Sequence, residues 1–157
     1  GLAAFFGPGK YIISEDKTEM AFAMFTPIVD SLIVFANNYS EIEQTGNLVI
    51  NGYADATGIG ETSELYRILV EALNKKTATK AELNQQLSQL RAGAIASLLN
   101  NLVNTKQTAF KSWKTFNINL FEYGQGETYP TKTIKDYTED DERRRVVLIY
   151  WCILPRD

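Results

Sequence analysis

The spacing of apolar and polar positions along the chain predicts a regular series of helices and strands. Apolar residues at helical spacing predict a helix over residues 18–39, with Pro27 either kinking it or marking where its main part begins. The apolar run at residues 47–53 predicts a buried strand, and a second helical pattern covers residues 61–74. A short strand is also predicted in LAAFF at the start, ended by a GPG turn.

The second half of the chain continues the pattern. Thr79 and Glu82 have the spacing of a capping box, which predicts a long helix over residues 80–103. Alternating apolar positions at residues 116–120 predict a half-buried strand. The final run RRRVVLIYWCIL is apolar on both alternating sets, which predicts a central strand covered on both faces. The whole order predicts one domain, residues 1–157, with the architecture of a two-layer α/β sandwich.

Composition narrows the classes of function. The 157 residues are 45% hydrophobic and 22% charged, and the net charge of −3 disfavours a nucleic-acid partner. The chain has no histidine, which removes the usual general base and most zinc sites, so neither an enzyme nor a cofactor is predicted. Its single cysteine, Cys152, lies in an apolar run and is predicted to be buried. No apolar run of about 20 residues is evident, so no membrane span is predicted.

The long helix carries a cation, Arg91, on the face that is predicted to point into the core. An apolar stripe runs along one face of this helix: Leu87, Ala94, Ile95, Leu98 and Leu102. Asn84, Ser88 and Arg91 fall within or beside that stripe, and a guanidinium facing the core is costly unless an acceptor meets it. Arg91 can bond a carboxylate or free backbone carbonyls and hold the helix to the sheet. Alternatively, it can receive a ligand carboxylate in two parallel hydrogen bonds, with Asn84 beside it.

Four segments, in order, carry a resemblance to a known family. They are GYADATG, NQQLSQLRAGAIASLL, YGQGETYP and RRRVVLI, and the second preserves a seven-residue interval from Asn84 to Arg91. Together they resemble the OmpA-like C-terminal domain found in OmpA, in peptidoglycan-associated lipoproteins and in MotB tails. The resemblance spans residues 46–149. It implies a mixed sheet of about four strands with helices on one face, plus an inserted helix at about residues 60–79.

The resemblance also implies a function and a site. Members of this family bind peptidoglycan non-covalently through the diaminopimelate of its stem peptide, which tethers an envelope protein to the cell wall. By similarity, Asp55 takes the ammonium group of the ligand, Arg91 takes its carboxylate and Asn84 lies beside them. One of Arg144 and Arg145 is expected to line the same pocket. The implied location is the periplasm, in association with the outer membrane through a lipid or barrel anchor outside this chain.

Two departures from the family pattern define an alternative. Ala54 stands where the family has a threonine, and 25 residues separate Gly58 from Asn84, where the family has only a few. The alternative is therefore a scaffold or interaction domain of the same fold, whose ligand site is closed by the inserted helix. In that case Asp55 and Arg91 would bond each other directly.

Other chemistry is less well supported. Asp55 and Glu127 could form the carboxylate pair of a glycoside hydrolase, but Glu127 belongs to the GQGE loop and is expected to shape it. The charged run TEDDERRR lacks the oxygen-ligand spacing and glycine of a calcium loop. It is predicted to form a capped helical turn with exposed charges before the last strand.

Overall fold

A computed structural model describes residues 6–156. These residues form three helices, three strands and three short 3₁₀ turns. In chain order the helices and strands are α1 (Glu15–Asn38), β1 (Gln44–Gly52), α2 (Glu64–Ala72), α3 (Lys80–Thr105), β2 (Phe116–Gly124) and β3 (Val147–Pro155). From the first helix onward, this order confirms the one predicted from the sequence. Most of the predicted strand in LAAFF lies outside the described residues.

The three strands form one mixed sheet in the order β2-β1-β3. The central strand β1 runs parallel to β2 and antiparallel to β3, with Gly52 opposite both Gly124 and Val147. Helices α1 and α3 pack against the sheet and against each other, and they make the second layer. The predicted α+β two-layer sandwich with a mixed sheet is therefore confirmed.

The main core lies between the sheet and these two helices. Every second residue of β1 is buried, including Leu48 and Ile50, because the side chains of a strand alternate between its two faces. α1 contributes Phe25, Val29 and Leu32 to the same core, and α3 contributes a longer set: Ile95, Leu98, Leu99, Leu102 and Val103. Most of the buried apolar side chains therefore lie between the two helices and the face of the sheet that they cover.

Helix α1 differs from the sequence prediction in one respect. Among the described residues, it alone is long and apolar enough to cross a membrane by length and composition, so the prediction that no segment reaches that threshold was wrong. Its buried positions pack into the core between sheet and helices, and the buried core helix of a globular layer meets the same criterion. Pro27 lies within the helix, where the Ser31 hydroxyl donates to the Pro27 carbonyl.

Strand β3 and its cysteine also differ from prediction. β3 is an edge strand of the described sheet, and the residues on its outward face are largely exposed. Cys152 lies on that face and is exposed rather than buried. The uniformly apolar sequence of β3 therefore reflects one face packed on the helices and a second apolar face left open.

The start of α3 follows the sequence prediction. The hydroxyl of Thr79 accepts a hydrogen bond from the backbone N–H of Glu82, whose carboxylate accepts from the backbone N–H of Thr79 in return. A hydrogen bond from Lys75 and the Thr79 backbone lower the pKa of Glu82 to about 2. The contribution of the charged carboxylate to stability is therefore complete above its ordinary pKa of 4.5, and it is lost as the pH falls from there through about 2.

Replacing Thr79 with alanine is expected to lower the free energy of unfolding by about 1 kcal/mol, the usual effect of losing an N-cap hydroxyl. Urea denaturation measures the change. Thr77→Ala, at an exposed position two residues earlier, is the matched control and should leave stability within about 0.5 kcal/mol of the parent. Equal effects of the two substitutions would contradict a capping role for Thr79.

Candidate functional site

Helix α3 lies unusually close to the ends of β1 and β2. A Cβ atom added to Gly52 would lie 2.1 Å from the Ser88 carbonyl oxygen, and one added to Gly124 would lie 2.6 Å from the Gln89 nitrogen. The Ser88 hydroxyl accepts a hydrogen bond of 2.8 Å from the backbone N–H of Gly126. Glycine at both strand ends thus lets the first turns of α3 sit directly over the loops that follow the strands.

The segment after β1 is held by backbone hydrogen bonds to the connection between β2 and β3, residues 125–146. The N–H groups of Tyr53, Ala54 and Ala56 donate to the carbonyls of Val146, Gly126 and Glu139, at 2.9, 2.9 and 2.7 Å. Asp55 lies within this segment and is only 3% exposed. The backbone around this carboxylate is therefore fixed against both ends of the connection.

Asp55 is paired with Arg145. The distance from Arg145 Nη1 to Asp55 Oδ2 is 2.6 Å, and the two side chains are 11% and 4% exposed. The same nitrogen donates to the Asp140 carbonyl at 3.0 Å. The alternative scaffold hypothesis expected a direct bond between Asp55 and Arg91. That expectation was wrong, because the guanidinium that meets the carboxylate belongs to Arg145, which lies just before β3.

Arg91 is completely buried and bonds three backbone carbonyls. Its Nε donates to Lys10 at 2.9 Å, its Nη1 to Tyr53 at 2.9 Å and its Nη2 to Gly7 at 3.4 Å. The guanidinium also lies 5.6 Å from the centre of the Phe6 ring. The inward orientation predicted for Arg91 is confirmed. Its partners are those of the structural interpretation, in which Arg91 ties α3 to the end of β1 and to the segment before α1.

The electrostatic environment of Arg91 reflects this burial. Removal from water lowers the pKa of the guanidinium to about 10, the negative charge of Asp55 opposes that shift, and the nearby positive charge of Arg145 adds to it. Arg91 is therefore within electrostatic reach of Asp55 and Arg145, although its own hydrogen bonds go to backbone carbonyls.

Asn84 links α3 to a carboxylate that the sequence analysis assigned to loop shaping. Its Nδ2 donates to Glu127 Oε1 at 2.7 Å and to the Thr57 carbonyl at 3.2 Å. Its Oδ1 is buried and has no hydrogen-bond partner among the described residues. Glu127 is thus a further residue of the cluster. The GQGE segment marked Glu127 in the sequence. Its contact with Asn84 was not predictable, because the fold brings together two residues that are 43 positions apart.

Arg144 and Arg145 have different positions. Arg144 is 4% exposed; it donates to the carbonyls of Glu127, Thr138 and Glu139, and its guanidinium lies 4.9 Å from the centre of the Tyr129 ring. Arg144 therefore ties the start of the connection between β2 and β3 to its later part, whereas Arg145 reaches Asp55. The Nε atoms of both arginines are buried without a partner among the described residues.

The charged run before β3 forms the predicted capped turn. The prediction that its charges are exposed was wrong for Arg144 and Arg145, which are buried because they bond the neighbouring backbone and Asp55. Residues Glu142–Arg144 are a single 3₁₀ turn, and the side chain of Asp141 accepts from the backbone N–H of Arg143 at 2.8 Å. The Arg143 side chain also hydrogen-bonds Asp141, which lowers the pKa of that carboxylate. Within residues 6–156, no three His, Cys, Asp or Glu side chains are grouped to hold a metal ion.

Helix α2 and the residues that follow it pack beside the cluster. Leu69 and Val70 of α2 are buried against Leu83 and Leu87 of α3 in a small second core. Lys80, at the start of α3, donates to the Ala56 carbonyl at 3.0 Å. Helix α2 thus supports the first turns of α3, which carry Asn84, through contacts that are separate from the main core.

The five residues predicted for the site are therefore brought to one end of the domain, in different environments. Asp55 and Arg145 form a buried ion pair, and Asn84 donates to the Glu127 carboxylate. Arg144 and Arg91 instead donate to backbone carbonyls. Such a cluster offers one carboxylate and one guanidinium side by side. Asn84 Oδ1 and Arg145 Nε have no hydrogen-bond partner in the described part of the chain. Chemically, it suits a ligand that carries both an ammonium and a carboxylate group.

Comparison with known proteins adds little to this description. No protein-family model and no curated protein matches the chain. Among solved structures, the chain is similar to the OmpA-like domain of FopA1 from Francisella tularensis subsp. tularensis SCHU S4. The two are 18% identical, the likeness covers 98% of this chain and 70% of that one, and the TM-score is 0.41. At this TM-score the likeness is too weak to support a conclusion about fold or function.

Proposed function

We propose that this chain is a non-catalytic peptidoglycan-binding domain that holds the diaminopimelate of the stem peptide. One observation carries the proposal. Residues from four distant segments, each within a motif that resembles the OmpA-like family, form two hydrogen-bonded pairs, Asp55 with Arg145 and Asn84 with Glu127. The backbone of Thr57 joins the pairs, since its N–H donates to Asp55 and its carbonyl accepts from Asn84. A structural role for Arg91 alone does not require the other three segments to meet at this place.

The ion pair suggests how the ligand is bound. A zwitterionic amino-acid group can replace the single Asp55–Arg145 bond with two, its ammonium group bonding Asp55 and its carboxylate bonding Arg145. Asn84 Oδ1 and Arg145 Nε, which have no partner within residues 6–156, supply further hydrogen bonds. In this proposal Arg145 takes the ligand carboxylate, a role that the resemblance gave to Arg91. Arg91 positions the segment that carries Asp55.

The proposed ligand implies where in the cell the domain acts. Diaminopimelate-containing peptidoglycan lies in the bacterial periplasm, so the domain would tether an envelope protein to the wall from the outer-membrane side, through an anchor outside this chain. The proposal needs no cofactor and no covalent step, since recognition by paired charges is reversible.

Calorimetric titration of free meso-diaminopimelate tests the proposal. The parent chain should bind saturably, and Asp55→Asn and Arg145→Gln should each weaken binding by at least about tenfold, because each removes one charge-assisted contact to the ligand. Arg143→Gln is the matched control, since the Arg143 side chain is 44% exposed and bonds Asp136 and Asp141 instead. It should bind as the parent does. Binding that is unchanged in both test variants would refute this site.

A second candidate is favoured by the closed state of the cluster. Asp55 is 3% exposed and already paired, which is what a scaffold domain with an internally satisfied site would show. The same titration separates the two candidates. A parent chain that is folded by circular dichroism, yet silent toward diaminopimelate at millimolar concentration, would favour the scaffold.

A further inference from the structure

Glu127 is a half-buried residue whose carboxylate has no cation partner within residues 6–156. The Arg144 guanidinium contacts the same residue, but it donates to the main-chain carbonyl of Glu127, at 2.7 Å. The carboxylate itself accepts a hydrogen bond of 2.7 Å from Asn84 Nδ2. A carboxylate that is partly removed from water is costly without a positive charge beside it, so a ligand is a natural source of that charge.

Asn84 places a second acceptor beside this carboxylate. The two partners of its Nδ2 are Glu127 Oε1 and the Thr57 carbonyl, and both only accept hydrogen bonds, so the nitrogen of the amide must face them. The Oδ1 of the amide is consequently left without a donor in the described part of the chain, on a side chain that is 1% exposed. A buried amide oxygen without a donor indicates a hydrogen bond that another molecule supplies.

Asp55 lies close to these two acceptors. The residues that precede Asp55 and Glu127 share a backbone hydrogen bond of 2.9 Å. The backbone of Thr57 connects the side chains as well, since its N–H donates to Asp55 Oδ1 at 3.4 Å and its carbonyl accepts from Asn84 at 3.2 Å. Three segments of the chain thus bring three side-chain acceptors to one end of the domain, and two of these acceptors are carboxylates.

We propose that Glu127 is a further ligand-binding residue, which shares the ammonium group of the ligand with Asp55. This inference rests on the proposed function and adds a second carboxylate to its site. An ammonium group has three N–H donors, and Asp55, Glu127 and Asn84 Oδ1 offer it three acceptors. A calcium or magnesium ion fits less well, because it takes six or more oxygen ligands. Within residues 6–156, moreover, no three His, Cys, Asp or Glu side chains are grouped to hold a metal ion.

The second carboxylate determines which ligands the site accepts. Asp55 already bonds Arg145, so its charge has a partner before any ligand binds. The Glu127 carboxylate has no such partner among the described residues and gains one only from the ligand. The site is therefore expected to select a ligand with a free amino group over a dicarboxylate of the same length that lacks one.

Calorimetric titration of meso-diaminopimelate into Glu127→Gln tests the inference. Glutamine has nearly the same shape, and its side-chain oxygen can still accept from Asn84, so the substitution removes the charge and keeps the internal hydrogen bond. The affinity should fall by at least about tenfold, the usual effect of losing a charge-assisted hydrogen bond. Glu122→Gln is the matched control and should bind as the parent does. Glu122 is exposed on β2, its carboxylate lies beside Gly93 of α3, and it forms no ion pair within residues 6–156.

Pimelate provides a second readout, because it has the chain length and both carboxylates of diaminopimelate but no ammonium group. Its displacement of meso-diaminopimelate measures its affinity. The parent chain should bind pimelate at least about tenfold more weakly than meso-diaminopimelate, since the charge-assisted bonds to the ammonium group are missing. Glu127→Gln should bind pimelate at least as tightly as the parent does, because the substitution removes a negative charge that repels it. Equal affinity of the parent for the two ligands would overturn the inference.

The other outcomes separate this inference from the proposed function. If Asp55→Asn weakens the binding of meso-diaminopimelate and Glu127→Gln does not, the role of Glu127 is overturned and the proposed function stands. A loss that Glu127→Gln causes equally for both ligands, or that Glu122→Gln also causes, would likewise overturn that role. A folded parent chain that binds no meso-diaminopimelate would overturn both. Thermal unfolding confirms that each variant is folded before its affinity is measured.

Discussion

Replacing Arg91 with alanine is expected to lower the free energy of unfolding by on the order of 3–5 kcal/mol. The guanidinium is fully buried and donates to the carbonyls of Gly7, Lys10 and Tyr53, so its loss leaves three acceptors without that donor. Each buried polar group left unpaired costs about 1–3 kcal/mol, and the deleted side chain also leaves a cavity. Urea denaturation followed by far-ultraviolet circular dichroism measures the change.

Arg67→Ala is the matched control for this experiment. The Arg67 side chain is 69% exposed and its ion pairs with Glu64 and Glu71 are 3.9 Å long, so its removal should change stability by less than about 0.5 kcal/mol. An Arg91→Ala variant that is as stable as the parent, yet no longer binds diaminopimelate, would contradict the structural role. It would restore Arg91 as the residue that takes the ligand carboxylate.

Replacing Gly52 with alanine is expected to destabilise the domain by about 3 kcal/mol, at the upper end of what overpacking a well-packed interior usually costs. The new methyl group would lie 2.1 Å from the Ser88 carbonyl oxygen and 3.0 Å from the Ala92 nitrogen. Both atoms belong to the backbone of α3, which cannot turn aside as a side chain can. The helix must therefore move away from the sheet, and a fall in the urea midpoint measures the cost.

A glycine in open space provides the control for Gly52. A Cβ atom at Gly58 meets nothing within 4 Å, so Gly58→Ala should leave stability within about 0.5 kcal/mol of the parent. The displaced helix should also loosen the contact between Asn84 and Glu127, which predicts weaker ligand binding in whatever fraction of Gly52→Ala remains folded. Equal stability of the two alanine variants would show that α3 does not approach the sheet as closely as described.

The sequence was sufficient to predict the helices and strands because each has a strong local signal. The period of apolar residues identified α1 and α3, and the capping box at Thr79 and Glu82 located the start of α3 to the residue. The open outer face of β3 was not predictable in the same way. An apolar face looks the same in the sequence whether it is covered by a helix, by a second molecule or by nothing, so Cys152 was wrongly predicted to be buried.

The sequence predicted which residues form the candidate site, but not which of them hydrogen-bond each other. The motifs identified Asp55, Asn84, Arg91 and the arginines before β3, and the fold gathers them at one end. Which guanidinium meets Asp55 depends on a contact between residues 90 positions apart. The acceptors of Arg91 are backbone carbonyls, which leave no trace in the sequence, since every residue type supplies one.

The position of β1 between its two neighbours has a consequence for how the chain reaches its fold. Its partner Asn119 follows Asn47 by 72 residues, and Arg145, just before β3, follows Asp55 by 90. No neighbouring hairpin can assemble this sheet, so both pairings require the closure of long loops, which makes folding slow compared with that of a helical bundle of similar stability. During synthesis on the ribosome, β1 must remain without strand partners until β2 emerges, and the sheet is completed only after residues 147–155 have left the exit tunnel. The strand at the centre of the finished domain is thus the one that waits longest for its strand partners while the chain is being made.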